Sequence, residues 1–376
     1  MKKILIVSKV FFPENSPRAN RTTELAKEFS RQGYDVTVCI PDLMTTDLNE
    51  NPEFSNIKFV SLGKSKYQKV SGKSILGRFL VRFSKMIFEY PDIQLVNMIS
   101  KTLKKLNGYD LLISIAVPHP IHWGVNKAIK QNKLLTKCWI ADCGDPYMGC
   151  RTDSFKKLFY FKYIEKAWCK VCNYIAIPHE AMIVDYYSEF ESKIKVIPQG
   201  FNLDEYTFDT YLPNKIPTFA YAGVLSEKFR NPLPLINYLN SLNIDFKFIV
   251  YTKSTLLDNF KNDANKKIEI RSYIPRAELL NDLSKMDFLI NFENCSIQKS
   301  LNKTVENDII YSTPSKIIDY SIVNRPVLSV SNELNFAVIN QFLSGDYSNK
   351  QILPDLSRFD IKNIVNQFLN LTDIKI

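Results

Sequence analysis

The sequence predicts an α/β fold made of two domains, each built around a parallel β-sheet. Short apolar segments that suit strands alternate with helical patterns from one end of the 376 residues to the other. Strands covered by helices on both faces read as continuous apolar runs, which is typical of parallel sheets. The strands form two successive series, and a chain with 45% hydrophobic residues can bury two cores.

Seven strands are expected in the first series and five in the second. The first series is Ile4 to Ser8, Asp35 to Ile40, Ile57 to Val60, Leu111 to Ile115, Lys137 to Ala141, Tyr174 to Ile177 and Lys195 to Ile197. The second is Thr218 to Ala222, Phe246 to Tyr251, Ile268 to Ser272, Phe288 to Phe292 and Val327 to Val330. Helical patterns between them include Asn20 to Gln32, Pro120 to Gln131, Phe155 to Val171, Pro232 to Leu242 and Arg276 to Met286.

The polar, proline-containing stretch 207–217 (TFDTYLPNKIP) separates the two series and predicts a linker. We therefore expect an N-terminal Rossmann-like domain over 1–206 and a C-terminal Rossmann-like domain over 218–376. The final helix can pack back on the N-terminal domain. In this arrangement the carboxyl ends of both sheets meet at one cleft, where ligands bind.

The sequence favours a cytoplasmic protein. It has no run of about eighteen or more apolar residues, so no membrane span is expected, and the apolar start is too short for a signal peptide. Seven cysteines, an odd number spread mostly through apolar segments, suit a reducing compartment. Cys169 and Cys172 lie in a helical pattern without a second pair, so we expect no zinc site.

The net charge of +10 is concentrated in residues 64–105, where ten Lys and Arg stand against two acids. An apolar stripe and a basic stripe share one helical pattern there. The apolar side carries Ile75, Phe79, Phe83 and Ile87, and another side carries Arg78, Arg82 and Lys85. A basic amphipathic helix is typical of peripheral attachment to anionic lipid, and we expect that partner rather than nucleic acid. The alternative is that the apolar stripe packs on its own domain and the charges face water.

Residues 312–330 carry the clearest chemical pattern. Thr313-Pro314-Ser315 predicts a loop that ends in a helix N-cap, with Lys316 in the first turn. The exposed N–H groups of a helix start and a lysine beside them favour phosphate. Asp319, one turn on, shares the helix face, which suits the ribose hydroxyls of a nucleotide. The alternative is an ordinary capped helix with a surface lysine.

Four stretches together resemble glycosyltransferase family 4, whose members are retaining nucleotide-sugar transferases with the GT-B fold. Residues 312–321 (STPSKIIDYS) and 324–330 (NRPVLSV) are similar to the family's Pro-Ser-Lys…Glu-Tyr…Lys-Pro-Val signature. Residues 3–38 resemble its opening strand, loop, helix and second strand. Residues 195–204 (KVIPQGFNLD) are similar to its VIPNGVD segment, and 219–226 (FAYAGVLS) to its YVGRL segment. The resemblance spans nearly the whole chain.

The resemblance implies transfer of a sugar, with retention, from a nucleotide-diphosphate sugar to a glycan or lipid-linked acceptor. Capsule, O-antigen or exopolysaccharide synthesis is the implied setting. UDP or GDP is the expected carrier, and no separate cofactor is implied. The oligomeric state does not follow from the sequence.

On the donor side, the family's diphosphate-binding arginine after the loop glycine is replaced here by Val224, which follows Gly223. Lys228 and Arg230 are the nearby candidates, and Arg230, at a helix start, is the preferred one. Solvated loop charges are the alternative for both.

Two carboxylates hold the donor in the family. Asp319 matches the one that holds the ribose, and the other falls at Tyr311, so the family's pair is not intact. The resemblance places Tyr273 at the base and the loop from Tyr311 to Pro314 at the sugar and phosphate. The expected donor-binding set is Gly223, Lys228, Tyr273, Tyr311, Ser312, Thr313, Pro314, Ser315 and Asp319.

The acceptor side is expected in the first domain. Asp142 and Asp145 follow a strand, where they could orient or deprotonate an acceptor hydroxyl, although Asp-Pro also commonly forms turns. With Arg230 and Lys316 they make up the expected catalytic set. Asn15, Ser16, Arg18 and His119 are the candidates for the acceptor cleft, and Arg18 and Arg21 flank a helix start that suits an anion.

We expect a metal-independent enzyme, because the sequence contains no Asp-x-Asp and only three histidines. Two other functions share these features. One is a GT-B-fold sugar-nucleotide epimerase, and the other is a non-catalytic nucleotide-sugar-binding protein, since Val224 and Tyr311 depart from the family pattern.

Overall fold

The computed structural model describes residues 2–14, 16–42, 48, 51–64, 75–150, 156–227, 230–260, 267–293, 315–331 and 333–372. The chain divides into two compact units. The first comprises Met1–Asn202 and Phe359–Ile376, and the second comprises Leu203–Arg358.

Each unit alternates strands and helices. The strands are β1 (Lys3–Val7), β2 (Asp35–Ile40), β3 (Ile57–Ser61), β4 (Tyr109–Ala116), β5 (Thr136–Cys143), β6 (Tyr174–Ile177), β7 (Ile194–Val196), β8 (Thr218–Ala222), β9 (Lys247–Tyr251), β10 (Ile268–Arg271), β11 (Phe288–Phe292) and β12 (Val327–Val330). The helices are α1 (Pro17–Arg31), α2 (Ile75–Phe88), α3 (Gln94–Leu103), α4 (Pro120–Gln131), α5 (Phe161–Val171), α6 (Leu233–Ser241), α7 (Arg276–Ser284), α8 (Ser315–Val323), α9 (Phe336–Leu343) and α10 (Ile361–Asn370).

The first unit contains a seven-stranded parallel sheet in the order β3-β2-β1-β4-β5-β6-β7. Its strands are buried on both faces, because successive side chains point to opposite sides. Leu5 and Val7 pack in the core with α3, α4 and α5, whereas Ile4 and Ile6 pack in the core with α1 and α10. The continuous apolar runs in the sequence follow from this double burial.

The last helix, α10, belongs to the first unit. Ile361, Ile364, Val365 and Phe368 are fully buried in the core that also contains α1. Backbone hydrogen bonds between Phe201 and residues 359 and 361 fix the point at which the chain returns.

The second unit contains a five-stranded parallel sheet in the order β10-β9-β8-β11-β12. Aromatic stacking marks its core: the ring of Phe219 lies 4.5 Å from that of Phe288 and 5.0 Å from that of Phe248. Helices α6 and α9 bury Leu235 and Phe342 in the same cluster.

All twelve predicted strands are confirmed to within two residues. Helix α1 begins at Pro17, three residues before its predicted start, because Ser16 caps it and proline suits the first turn. Helix α5 begins at Phe161 and not at Phe155. In the segment before it, Lys157 pairs with Glu89 at 2.6 Å, and this long-range contact competes with local helix propensity.

Residues 207–217, predicted as a linker, lie within the second unit. The Tyr211 hydroxyl donates to the Asp287 carboxylate at 2.5 Å, and the backbone N–H of Asn214 donates to the same oxygen at 3.0 Å. These contacts tie the stretch to the sheet, because Asp287 immediately precedes β11. No helix in the described part of the chain is long and apolar enough to cross a membrane.

Candidate functional site

In each unit the strand order reverses at one point, and ligands of open parallel sheets bind beyond the strand ends there. In the second unit this point lies between β8 and β11. The loop after β8 contains Gly223 and Arg230, and α8, with Lys316, follows β11 along the chain. The fold therefore brings two segments of the predicted donor site to the same edge of the sheet.

Gly223 is required for the turn after β8. Its φ of +149° is a backbone conformation that other residues rarely adopt, and an added Cβ would lie 2.9 Å from the Tyr221 hydroxyl oxygen. That hydroxyl donates to the Val224 carbonyl at 2.9 Å. Farther along, paired backbone hydrogen bonds of 3.0 and 3.2 Å join Ser226 to Arg230 and close the loop. The turn thus fixes the backbone that carries Arg230.

Lys316 and Arg230 are basic side chains that interact electrostatically with each other. The Lys316 ammonium is 8% exposed and lies 4.8 Å from the centre of the Tyr221 ring. Within the described ranges, Nζ of Lys316 and Nε of Arg230 are buried and have no hydrogen-bond partner. Burial, and next the charge of Arg230, lower the pKa of Lys316 to about 7. Unpaired buried donors are costly, so this arrangement favours an anionic ligand.

Asp319 lies one turn beyond Lys316 and is engaged by a residue that the sequence did not reveal. Arg276, the first residue of α7, donates from Nε and Nη2 to Asp319 Oδ1 at 2.9 and 2.6 Å. Burial raises the pKa of Asp319, and the charge of Arg276 opposes that rise. Asp319 is therefore one half of an ion pair.

The other predicted donor residues are only partly described. Tyr273 is 39% exposed, and the Lys253 ammonium lies 5.0 Å from its ring centre. Ser315 begins α8, but its side chain is outside the description. The remaining predicted residues, Lys228, Tyr311, Ser312, Thr313 and Pro314, lie outside the described residues.

In the first unit the strand order reverses between β1 and β4. The residues after β1, β4 and β5 include Ser16, Arg18, His119 and Asp145, so the predicted acceptor residues share one edge of this sheet. Ser16 caps α1, because its Oγ accepts from the Ala19 N–H at 3.3 Å. Asn15 lies outside the described residues.

Asp142 and Arg21, two residues predicted on the acceptor side, form a buried ion pair. Arg21 Nε donates to Asp142 Oδ2 at 2.8 Å, and both side chains are 2% exposed. The guanidinium also donates to the carbonyls of Ile197, at 3.2 Å, and Pro198. Because a buried pair of this kind is costly to break, it holds α1 against β5.

Arg18 lies directly over Gly144. A Cβ at Gly144 would come within 2.5 Å of the Arg18 Cζ, so a larger residue there would displace the end of the arginine side chain. Desolvation lowers the pKa of Arg18, and the nearby carboxylates of Asp142 and Asp145 oppose that shift. Arg18 and Asp145 therefore remain as charged candidates on the acceptor side.

His119 is a neutral, buried imidazole. Its Nε2 lies 3.1 Å from the Asp145 backbone oxygen, which can only accept, so Nε2 carries the proton. Nδ1 then presents a lone pair, and it has no partner in the part of the chain that the structure describes. Burial lowers the pKa of His119 to about 3. The His119 imidazole is therefore a neutral hydrogen-bond acceptor at Nδ1.

Glu165 on α5 supports the loop after β5. It accepts from the Tyr187 hydroxyl at 2.8 Å and from the backbone N–H groups of Tyr147 and Met148. Burial raises its pKa to about 7. The sequence carried a signal for it, because Glu165 falls on the same helical stripe as Phe161 and Trp168. No group of three or more potential metal ligands occurs among the residues that the structure describes.

No protein-family model matches the sequence, and no curated protein matches it. Solved structures match it over its full length. The lipopolysaccharide outer core galactosyltransferase WaaB shares 14% identity, with 99% of each chain covered and a TM-score of 0.56. Anabaena HepE, solved with UDP and glucose, shares 11% identity, with 98% of this chain and 99% of that chain covered and a TM-score of 0.54.

A structure described as a UDP-N-acetylglucosamine 2-epimerase from Listeria monocytogenes is also similar. It shares 9% identity, covers 99% of this chain and 96% of its own, and has a TM-score of 0.52. At these identities the likeness concerns the fold. The chain has the GT-B fold, with two Rossmann-like units whose sheets are parallel.

Proposed function

We propose that this protein is a glycosyltransferase that moves a sugar, with retention, from a nucleotide-diphosphate sugar to a glycan or lipid-linked acceptor. The observation that carries the proposal is the unpaired, buried Lys316 ammonium beside Arg230 at the strand-order reversal of the second sheet. A diphosphate would supply the missing negative charge. UDP is the first carrier to test, because HepE, which has the same fold, was solved with it.

In this mechanism Lys316 and Arg230 bind the diphosphate and neutralise the charge that develops as it leaves. The bond between the anomeric carbon and the phosphate oxygen breaks. The acceptor oxygen bonds to the same face of that carbon, and its proton passes to the departing phosphate. Asp319 would bind the ribose hydroxyls. His119, through Nδ1, would accept a hydrogen bond from a sugar hydroxyl on the first unit.

The proposal includes a metal-independent reaction and a cytoplasmic location, with an acceptor at the inner face of a membrane. The cations at the proposed donor site support a metal-independent reaction, because they can neutralise the leaving diphosphate as a bound metal ion does in other enzymes. The basic and apolar residues of α2 suit an anionic lipid surface, on which a lipid-linked acceptor of surface-polysaccharide synthesis would be presented.

The test is nucleotide release from UDP-glucose, UDP-galactose, UDP-N-acetylglucosamine and GDP-mannose, with and without a lipid-linked diphosphate sugar acceptor. Release that requires the acceptor, with a product of retained configuration, is expected. The likeness to an epimerase structure motivates one alternative, in which the sugar nucleotide is isomerised without acceptor. Either that isomerisation, or nucleotide binding without any turnover, would contradict the proposal.

A further inference from the structure

The Arg276–Asp319 pair joins the start of α7 to the middle of α8 in the second unit. Arg276 is the first residue of α7 and Asp319 is the fifth residue of α8. Nε and Nη2 of the guanidinium both donate to the same carboxylate oxygen, Oδ1, at 2.9 and 2.6 Å. The side chains are 27% and 17% exposed.

Arg276 is held from a second direction as well. Its Nη1 donates to the Tyr206 hydroxyl, and its Cζ lies 5.2 Å from the centre of the Tyr206 ring. The guanidinium is thus oriented by a hydrogen bond, a ring face and a carboxylate. A side chain fixed in this way is suited to position its partner.

We propose that Arg276 is a positioning residue for the donor nucleotide: it holds Oδ1 of Asp319 so that Oδ2 is presented to a ribose hydroxyl. This inference rests on the proposed function, because it assigns a role within the nucleotide site. It makes Arg276, which no sequence pattern revealed, a determinant of ribose recognition.

The electrostatics agree with that role. Burial of Asp319 raises its pKa and so favours the protonated acid, which would lose acceptor strength toward a hydroxyl. The charge and hydrogen bonds of Arg276 oppose this shift. Arg276 therefore preserves both the orientation and the charge of the carboxylate.

The geometry also argues against a direct phosphate contact by Arg276. All three guanidinium nitrogens donate within the unit, two to Asp319 and one to Tyr206. Lys316 and Arg230 contrast with it, because each has a buried nitrogen with no partner among the described residues. In this proposal Lys316 and Arg230 bind the phosphates, whereas Arg276 acts on the ribose through Asp319.

The experiment compares the affinities of UDP and 2′,3′-dideoxy-UDP by titration calorimetry. The wild-type protein should bind UDP about tenfold or more tightly, since the dideoxy compound leaves the carboxylate without its hydroxyl partner. Arg276→Gln should bring this ratio close to one, mostly by weakening UDP. Arg276→Lys should retain part of the ratio, because a single ammonium can hold one oxygen without the forked geometry.

The matched control is Arg271→Gln in the same unit. Arg271 forms the same kind of constellation, with Asp282 Oδ2 at 3.3 Å, the Tyr251 hydroxyl at 2.8 Å and the Tyr251 ring centre at 5.5 Å. Its loss should leave the ratio of the two affinities unchanged. A thermal melt of each variant verifies that it is folded.

Asp319→Asn provides the second variant. It should reduce the ratio as strongly as Arg276→Gln does. The double variant should show little further reduction of the ratio, because both single changes disrupt the same ion pair. A ratio preserved in Arg276→Gln, or equal losses for both nucleotides, would overturn the inference. Wild-type protein that binds UDP without ribose discrimination would overturn it while leaving the proposed function intact. Failure to bind UDP, GDP, ADP or CDP would overturn both.

Discussion

The lysine in the first turn of α8, Lys316, has a protonation state that would set the charge of the proposed donor site. The pKa of Lys316 is about 7 in the folded chain, against 10.5 for an exposed lysine, because burial and Arg230 disfavour its charge. Between these values the unfolded chain binds more protons. The free energy of unfolding therefore rises with pH through this window, and the cost of the buried charge is fully present below it.

Proton uptake is expected when a diphosphate binds. The added negative charge favours the ammonium form of Lys316, so at pH 8 the wild-type protein should take up about one proton per UDP. Titration calorimetry in buffers of different ionisation enthalpy measures this number. Lys316→Met should bind more weakly with almost no uptake. An equal uptake in wild type and variant would show that another group titrates.

At the residue scale the sequence indicated candidate positions but not their partners. Asp142, Asp145, Lys316 and Asp319 were predicted from strand ends and helix starts, where local pattern is informative. Their ion-pair partners are distant in sequence: Arg21 is 121 residues from Asp142, and Arg276 is 43 from Asp319. A pairing of this kind depends on how the chain is folded. It determines how much of a carboxylate is left to bind a ligand.

At the element scale, α2 combines exposed cations with exposed aromatic rings. Phe83 is 44% exposed and Phe88 is 60% exposed, while Arg82 and Lys85 are exposed beside them. Ile87 is half-buried, so part of the apolar stripe packs on the unit, as the alternative interpretation requires. The side chains of Ile75, Arg78 and Phe79 lie outside the description.

A second segment extends this surface. The Tyr160 hydroxyl donates to the Ile87 carbonyl, which places residues 156–163 (KKLFYFKY) against the end of α2. Phe159 is 77% exposed and Tyr163 is 68% exposed. Like α2, this segment has no acidic residue. Both elements therefore offer aromatic rings and positive charge together, which suits a membrane interface.

Vesicles rich in anionic lipid should recruit the protein at low salt and release it at high salt. Each basic residue near such a surface contributes about 1 kcal/mol, and salt screens it over roughly 8–10 Å. Replacing Arg78, Arg82 and Lys85 with Gln should abolish recruitment in a sedimentation assay. Turnover of a short soluble acceptor should survive, because the donor site is in the other unit.

The matched control for recruitment is a triple Gln variant at Lys215, Lys285 and Lys350. These lysines are exposed on the second unit, and the variant has the same net charge as the α2 variant. It should bind vesicles like the wild type. Salt-independent sedimentation, or the same loss in both triple variants, would remove the membrane assignment.

Element boundaries show where local pattern is insufficient. The strands were predictable because a strand buried on both faces has a continuous apolar run, which can be recognised in the sequence without knowing what packs against it. The start of α5 was not, since the segment before it makes a long-range ion pair with Glu89. The linker assignment of 207–217 missed the contacts with Asp287. The composition of a segment indicates whether it is exposed, but it does not reveal hydrogen bonds to residues distant in the sequence.

At the scale of the whole molecule, two parallel sheets each place their candidate residues beyond a reversal of strand order. The fold class and the positions of the strands were within reach of the sequence, because continuous apolar runs alternate there with helical patterns. The sugar, the base and the acceptor were not, because they depend on side-chain geometry around the ligand and not on element order.

Chelation should leave catalysis nearly intact. If Lys316 and Arg230 neutralise the leaving diphosphate, excess EDTA should change the rate of acceptor-dependent nucleotide release by less than about twofold. A metal-depleted sample assayed with and without added Mg²⁺ or Mn²⁺ provides the comparison. Activity abolished by EDTA and restored by either ion would refute the metal-independent mechanism.

The most direct test of the central claim compares UDP with uridine on single-site variants, by titration calorimetry. Lys316→Ala and Arg230→Ala should each weaken UDP binding by about 1.5–3 kcal/mol, because each removes a charge-assisted contact with phosphate. Uridine binding should be almost unchanged. Lys267→Ala is the matched control, since that ammonium also lies over a ring, 5.6 Å from the centre of Phe246, and it should change neither ligand. Equal losses for UDP and uridine would show that these cations support the fold and do not bind a diphosphate.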